Sequence, residues 1–221
     1  MTEVEAIRAR HSVRAYQDRK IEPEKANQLK ALIEEVNAEG KLHLQLIEDA
    51  GKTFNRLLSK AMGLASAPGV IACVGPDDST LDERVGYYGE KIVLAAQSMG
   101  LNTCWAGTFS KTGVPAEIKD GERLVIVIAV GYGENQGKQH RSKTPEKVSK
   151  AQRARPGWFD FAVEMALLAP TAINQQSFEI RLNVDDSVEF LNKGGPFSDV
   201  DLGIVKYHFT VGADFRKNGG K

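Results

Sequence analysis

The chain has 221 residues, enough to bury a sizeable core as one or two packed lobes, and its 42% hydrophobic and 26% charged content is that of a soluble globular protein. Its 29 Lys and Arg balance 29 Asp and Glu, so the formal charge is zero and the basic face of a nucleic-acid binder is not expected. Residues 1–20 carry Glu3, Glu5, Arg8, Arg10 and Arg14 without an apolar block, and no run reaches the length of a membrane span. Neither a secretory leader nor a membrane partner is expected, and the reading is cytoplasmic.

In chain order, residues 2–10 read as a short helix with Thr2 as N-cap, followed by extended chain over 11–20. Pro23 starts a second helix with Leu29, Leu32, Ile33 and Val36 on one face, ending near Gly40. Leu42, Leu44 and Leu46 alternate with polar residues as a half-buried strand, and a loose region runs on to about Ala67. Val70–Val74, bounded by Pro68-Gly69 and Gly75-Pro76, reads as a central strand. Residues 80–100 read as a long helix whose stripe is Tyr88, Ile92, Ala95, Ala96 and Met99. Short extended chain at 103–107 and a buried strand from Leu124 to Val130 follow, the latter closed by Gly131-Tyr132-Gly133. Residues 134–150, polar and basic, read as an excursion or linker.

Beyond Pro156 the pattern restarts. Trp158, Phe161, Ala162, Met165, Leu168 and Ala169 keep helical spacing, Phe178, Ile180 and Leu182 alternate as a strand, and residues 199–213 look helical. Helix then strand thus occurs at 23–48 and again at 157–184, a plausible internal repeat. The two cysteines, Cys73 and Cys104, lie in apolar surroundings without a CxxC, and the four histidines are scattered, so no metal site is expected. A lone Gly-x-Gly without GxGxxG argues against a Rossmann domain.

Two motifs carry chemistry. Arg10, Ser12 and Arg14 alternate in extended chain, which places two guanidinium forks and a hydroxyl on one face, a good cradle for a phosphate dianion. The same run also suits a solvated charged turn, and the residues alone favour that reading. The second motif is Ala169-Pro170-Thr171-Ala172-Ile173-Asn174-Gln175-Gln176-Ser177-Phe178, where Thr171, Asn174 and Gln176 donate and accept hydrogen bonds from a small-residue turn. An ordinary helix C-terminal turn is the plainer reading.

Both motifs resemble the FMN-dependent nitroreductase family. Residues 7–16 resemble its Arg-Arg-Ser-x-Arg-x-Phe start, with His11 for the second arginine and Tyr16 for the phenylalanine. Residues 169–178 resemble its Ala-Pro-Ser-x-x-Asn-x-Gln-Pro-Trp loop, with Ser177-Phe178 for Pro-Trp. Gly86 through Trp105 resembles its central helix and Gly-Leu-Gly-Thr-Cys-Trp ending, and Gly131-Tyr132-Gly133 its Gly-Tyr-Pro. The resemblance implies an α+β, nitroreductase-like fold with a central antiparallel or mixed sheet flanked by helices. It implies Arg10, His11 and Ser12 at the FMN phosphate and Arg14 nearer the ring, where a cation stabilises charge at N1 and O2 of reduced flavin. Arg141 resembles the C-terminal arginine that also reaches the phosphate, although residues 138–150 suit a charged linker equally well. Pro170, Thr171, Ala172, Asn174 and Gln176 would surround the ring edge, and Ala106 and Gly107 would bring backbone N–H groups near N5. No catalytic acid or base is implied.

In the family the Ala-Pro-Ser loop follows the first long helix; here it stands near residue 170. The chain resembles the rearranged "putative TM nitroreductase" subgroup. The order implies a flavin-holding half, residues 1–150, and a truncated second half, residues 151–221, that supplies the ring loop: two similar lobes, a pseudo-dimer within one chain, monomeric or weakly homodimeric. The activity implied is ping-pong hydride transfer from NADH or NADPH through FMN to a nitroaromatic or quinone-type small-molecule acceptor. A flavin-storage or sensing protein with little turnover is the alternative. Tyr87, Tyr88 and Phe109 are candidate pocket walls, though such aromatic residues are more often core.

Overall fold

Thr2 opens the first helix with a capping box, its hydroxyl accepting from Glu5 N at 3.2 Å while the Glu5 carboxylate accepts from Thr2 N at 2.8 Å. The computed structural model describes residues 1–50, 52–54 and 63–220. The first segment holds α1 (Glu3–Ala9), α2 (Pro23–Gly40), β1 (Gln45–Ile47), β2 (Gly69–Pro76), α3 (Leu81–Ser98), β3 (Asn102–Ala106) and β4 (Glu122–Gly131). After it come α4 (Pro145–Val148), β5 (Ser149–Ala151), α5 (Gly157–Ala166), β6 (Phe178–Leu182), β7 (Val188–Asn192) and α6 (Ser198–Lys217). Residues 51 and 55–62 of the loose region expected before Ala67 lie outside the described residues. No helix among the described residues is long and apolar enough to cross a membrane.

The mixed α+β class is as expected. One sheet has the order β1-β2-β4-β3 and is antiparallel throughout; the other, β5-β6-β7, pairs β5 and β6 in parallel and β6 and β7 antiparallel. The second sheet straddles residue 150, and one apolar core runs through both segments, joining Ile71, Ile92 and Ile128 to Phe159, Ile180 and Val205. A second cluster on the other side of the first sheet packs Val13 and Tyr16 against Val70, Ala72, Val127 and Ala129. Cys73 and Cys104 are free and buried, and burial pushes both thiols up.

Three local expectations change. The strand expected at Leu42–Leu46 begins only at Gln45, because the Asn37 side chain occupies the Leu44 backbone, accepting from its N at 2.7 Å and donating to its O at 2.9 Å. The hairpin strand β7 was absent from the sequence reading. A turn produces it: Asp185 Oδ1 accepts from the Ser187 N and hydroxyl, and Asp186 takes φ 69°. Residues 134–150 are largely exposed, as an excursion would be, but are also bonded to the second segment. Lys143 N donates to Gln176 Oε1 at 2.8 Å, its Nζ donates to the carbonyls of Gln175 and Gln176, and Ser142 Oγ donates to Leu167 O at 3.0 Å. The stretch ties the two segments together.

Candidate functional site

The chain leaving α1 is clipped to the edge strand β3. Ser12 bridges Thr103 in parallel, and Val13 N donates to Thr103 O at 3.0 Å. This lays residues 10–14 beside Trp105, Ala106 and Gly107 at the strand end. From the opposite side, the loop after α5 crosses the same place. A cleft results, with two parts joined at Ser12, Arg14, Pro170, Thr171 and Ile173, which line both.

The first part, about 650 Å³, is cationic. Arg10, Arg14 and Lys138 line it with His11 and His140, and among the described residues no carboxylate does. Burial and then the neighbouring Arg10 charge push His11 below the usual imidazole value; burial does the same to His140, against its hydrogen bond to Leu167 O. Arg10 is 4% exposed, and its buried Nε has no hydrogen-bond partner. Such an orphaned donor is uncommon in a folded interior and points to a missing acceptor.

The second part, about 200 Å³, is mostly apolar. Trp105, Ala106, Gly107, Ile126, Phe197 and Ile204 form its walls, with Pro170, Thr171 and Ala172 along one edge. Phe197 lies over Gly107: a Cβ there would meet the phenyl ring at 2.4 Å. One carboxylate, Asp201, lines this part. Both its oxygens accept from Ala172 N at 3.0 Å and Oδ2 also accepts from Gln175 Nε2 at 2.7 Å, while burial raises it to about 6. Gln175 Nε2 donates in turn to Pro196 O at 2.9 Å, so Asp201 and Gln175 fix the ring-side loop to the turn that carries Phe197.

The loop itself is tightly wound. Ile173, Asn174 and Gln176 take φ of 47°, 55° and 44°, and Thr171 Oγ1 accepts from Gln176 N at 3.0 Å to close the turn. Gln176 is buried, and its amide donates to Arg141 O at 2.9 Å and to Asn174 Oδ1 at 2.8 Å. Asn174 Nδ2 also donates to Arg141 O, at 2.9 Å.

Ten of the twelve site residues read from the sequence therefore meet in one cleft: Arg10, His11, Ser12, Arg14, Ala106, Gly107, Pro170, Thr171, Ala172 and Asn174. Two do not line it. Arg141 is exposed and offers the loop its carbonyl, and Gln176 braces the loop from behind. Lys138 and His140 stand where Arg141 was expected. Tyr87 and Tyr88 line a separate groove beside the ends of α1 and α6, and Phe109 is buried in the core. Asp201 and Phe197 were missed: the first reads as an ordinary first-turn acid of a helix, and the second sits in an irregular Gly-Gly-Pro-Phe turn with no periodic signal.

The family described as "Putative TM nitroreductase" matches residues 3–213, and the chain belongs to it, which makes it an enzyme of the oxidoreductase class. Among solved structures it is similar to a putative nitroreductase from Thermotoga maritima MSB8, with TM-score 0.71 and 21% identity over 100% of this chain and 87% of that one. A putative nitroreductase in complex with FMN from Desulfovibrio desulfuricans matches at TM-score 0.52 and 19% identity, over 66% of this chain and 94% of that one. A putative NADH dehydrogenase/NAD(P)H nitroreductase from Parabacteroides distasonis matches at TM-score 0.51 and 21% identity, over 71% and 98%. At these identities the likeness is one of fold. No curated protein matches the chain.

Proposed function

We propose that the chain is an FMN-dependent NAD(P)H oxidoreductase that passes electrons in two half-reactions to a nitroaromatic or quinone-type acceptor. The cleft carries this reading. Its cationic part, lined by Arg10, Arg14 and Lys138, suits a phosphate. Its apolar part suits a flat ring system between Trp105 and Phe197. The residues present fit FMN: Arg10, His11, Ser12 and Lys138 would hold the phosphate, Arg14 would stand nearer the ring, and Thr171, Ala172 and Asn174 would border its polar edge. Bound FMN would supply the hydride-accepting ring, and the chain's part is to bind, orient and stabilise charge. The FMN complex and the NAD(P)H nitroreductase among the structural relatives support the cofactor and the donor class by similarity.

Both halves of the cleft come from one chain, so one chain holding one FMN, as a pseudo-dimer that needs no second copy, is part of the proposal. The two free, buried thiols suit a reducing cytoplasm. The test is the visible spectrum of the purified protein before and after anaerobic NADH or NADPH, with cofactor stoichiometry and molar mass measured on the same sample. A flavin spectrum that bleaches, releases FMN on denaturation and titrates at one per chain on a monomer is expected. A colourless protein that takes up no added FMN overturns the reading, and a flavin that stays oxidised with both nucleotides leaves a storage protein in its place.

A further inference from the structure

Glu90 lies in the middle of α3, fully buried, and does not itself line the cleft. A carboxylate so placed is stable only with partners. It has three, each from a different element. Its Oε1 accepts from His208 Nε2 of α6 at 2.9 Å, its Oε2 accepts from Trp105 Nε1 of β3 at 2.8 Å, and Arg10 Nε, at the end of α1, stands 3.9 Å from Oε1. His208 is itself fully buried and places its other ring nitrogen 3.1 Å from Met165 O. Both imidazole nitrogens thus face oxygens.

Two of the three partners belong to the two ends of the cleft: Arg10 lines the cationic part and Trp105 the apolar part. The distance to Arg10 is that of an ion pair without a hydrogen bond, so Glu90 fixes where the guanidinium sits without taking a hydrogen bond from its Nε. Trp105 is held more firmly, by its indole N–H on Glu90 and by its ring lying on Gly89, where a Cβ would meet it at 2.5 Å. We infer that Glu90 is a positioning residue that sets the Arg10 guanidinium and the Trp105 indole in register with each other across the cleft, and that His208 of α6 completes this centre when the second segment docks. The inference rests on the flavin reading above for what the two groups contact, and on the geometry alone for the coupling between them.

The experiment uses the full chain and E90Q, which keeps the shape and removes the charge. Two readouts are taken. In the cofactor-free protein, 15N-labelled at its two tryptophans, the Trp105 indole N–H resonance is expected to move in E90Q while that of Trp158 stays in place. In flavin titrations, E90Q is expected to lose at least tenfold in affinity for FMN and less than threefold for riboflavin, which lacks the phosphate. E90D, which keeps the charge but shortens the reach, is expected to lose part of the FMN preference, and it decides the matter should E90Q fail to fold. An unchanged FMN-to-riboflavin ratio in both variants overturns the inference, because a merely structural carboxylate would weaken both flavins together. Should the wild-type chain bind neither flavin, the flavin reading fails by itself. The coupling is then read from inorganic phosphate titrated against the Arg10 Nε–H resonance, with binding to wild type and loss in E90Q supporting it and equal response in both overturning it.

Discussion

Gly86 of α3 and Gly203 of α6 meet backbone to backbone. A Cβ on Gly86 would lie 2.0 Å from Val200 O, and one on Gly203 would lie 2.0 Å from Glu83 O and 2.6 Å from Tyr87 N. The opposing atoms are main chain of a packed helix pair and cannot swing aside. This contact brings α6 close enough for Asp201 and Ile204 to reach the cleft and for His208 to reach Glu90.

G203A is therefore expected to lower stability by about 3 kcal/mol, the upper part of the range for overpacking a core, and to loosen the second segment first. Hydrogen exchange read peptide by peptide checks the order of events. Faster exchange in α5, β6 and α6 ahead of β2 and β4 is the expected pattern, and a uniform loss would contradict it.

The carboxyl of Asp201 gives the fold a pH signature. Burial raises it, against the hydrogen bonds from Gln175 and Ala172, to about 6 from an ordinary value of 3.8. The protonated form is thus favoured in the folded state. The stability this group contributes is fully present below its ordinary value and is lost as the pH rises through about 6. D201N cannot ionise, so the stability of the variant relative to wild type should rise across that window, by on the order of 2 kcal/mol. Urea titrations at several pH values measure the difference, and a difference that stays flat across the window would sink the assignment.

Ile173 combines two costs at one position. It is β-branched at φ 47°, and its side chain is 88% exposed at the mouth of the cleft, where it lines both parts. Left-handed backbone costs a branched residue roughly 1–2 kcal/mol, and strain of this kind gathers at functional sites. I173N, whose side chain tolerates that backbone, is expected to raise stability by about 1 kcal/mol and to reduce turnover of an apolar acceptor. A thermal melt and a steady-state assay on the same sample check both halves of the expectation.

Much of this was legible before any coordinates. The long helices declared themselves through apolar spacing, and β2 and β4 through apolar runs closed by Gly and Pro. Of the twelve site residues named from the motifs, ten line the cleft, since short motifs fix residue type at fixed spacing. What escaped reading depends on contacts between segments. Glu90 looks like a surface acid of an amphipathic helix and is buried where Arg10, Trp105 and His208 of α6 meet it. Lys138 and His140 reach the cleft where Arg141 does not, because in irregular backbone no periodicity says which way a side chain turns. Strand β7 is short and follows two aspartates, so its turn hid it.

The apolar part of the cleft depends on Gly107 lacking a side chain. A Cβ there would stand 2.4 Å from the ring of Phe197, which is itself 38% exposed and the far end of a side chain that can turn. G107A should therefore push the Phe197 ring out of its place and narrow the space beside Trp105, with FMN affinity falling about tenfold, the equivalent of roughly 1.4 kcal/mol. F197A removes the obstacle, so the double variant G107A/F197A should recover most of the affinity that G107A loses. Near-additive losses in a double-mutant cycle would show that Gly107 is required for close backbone approach to the flavin and not for the ring that covers it.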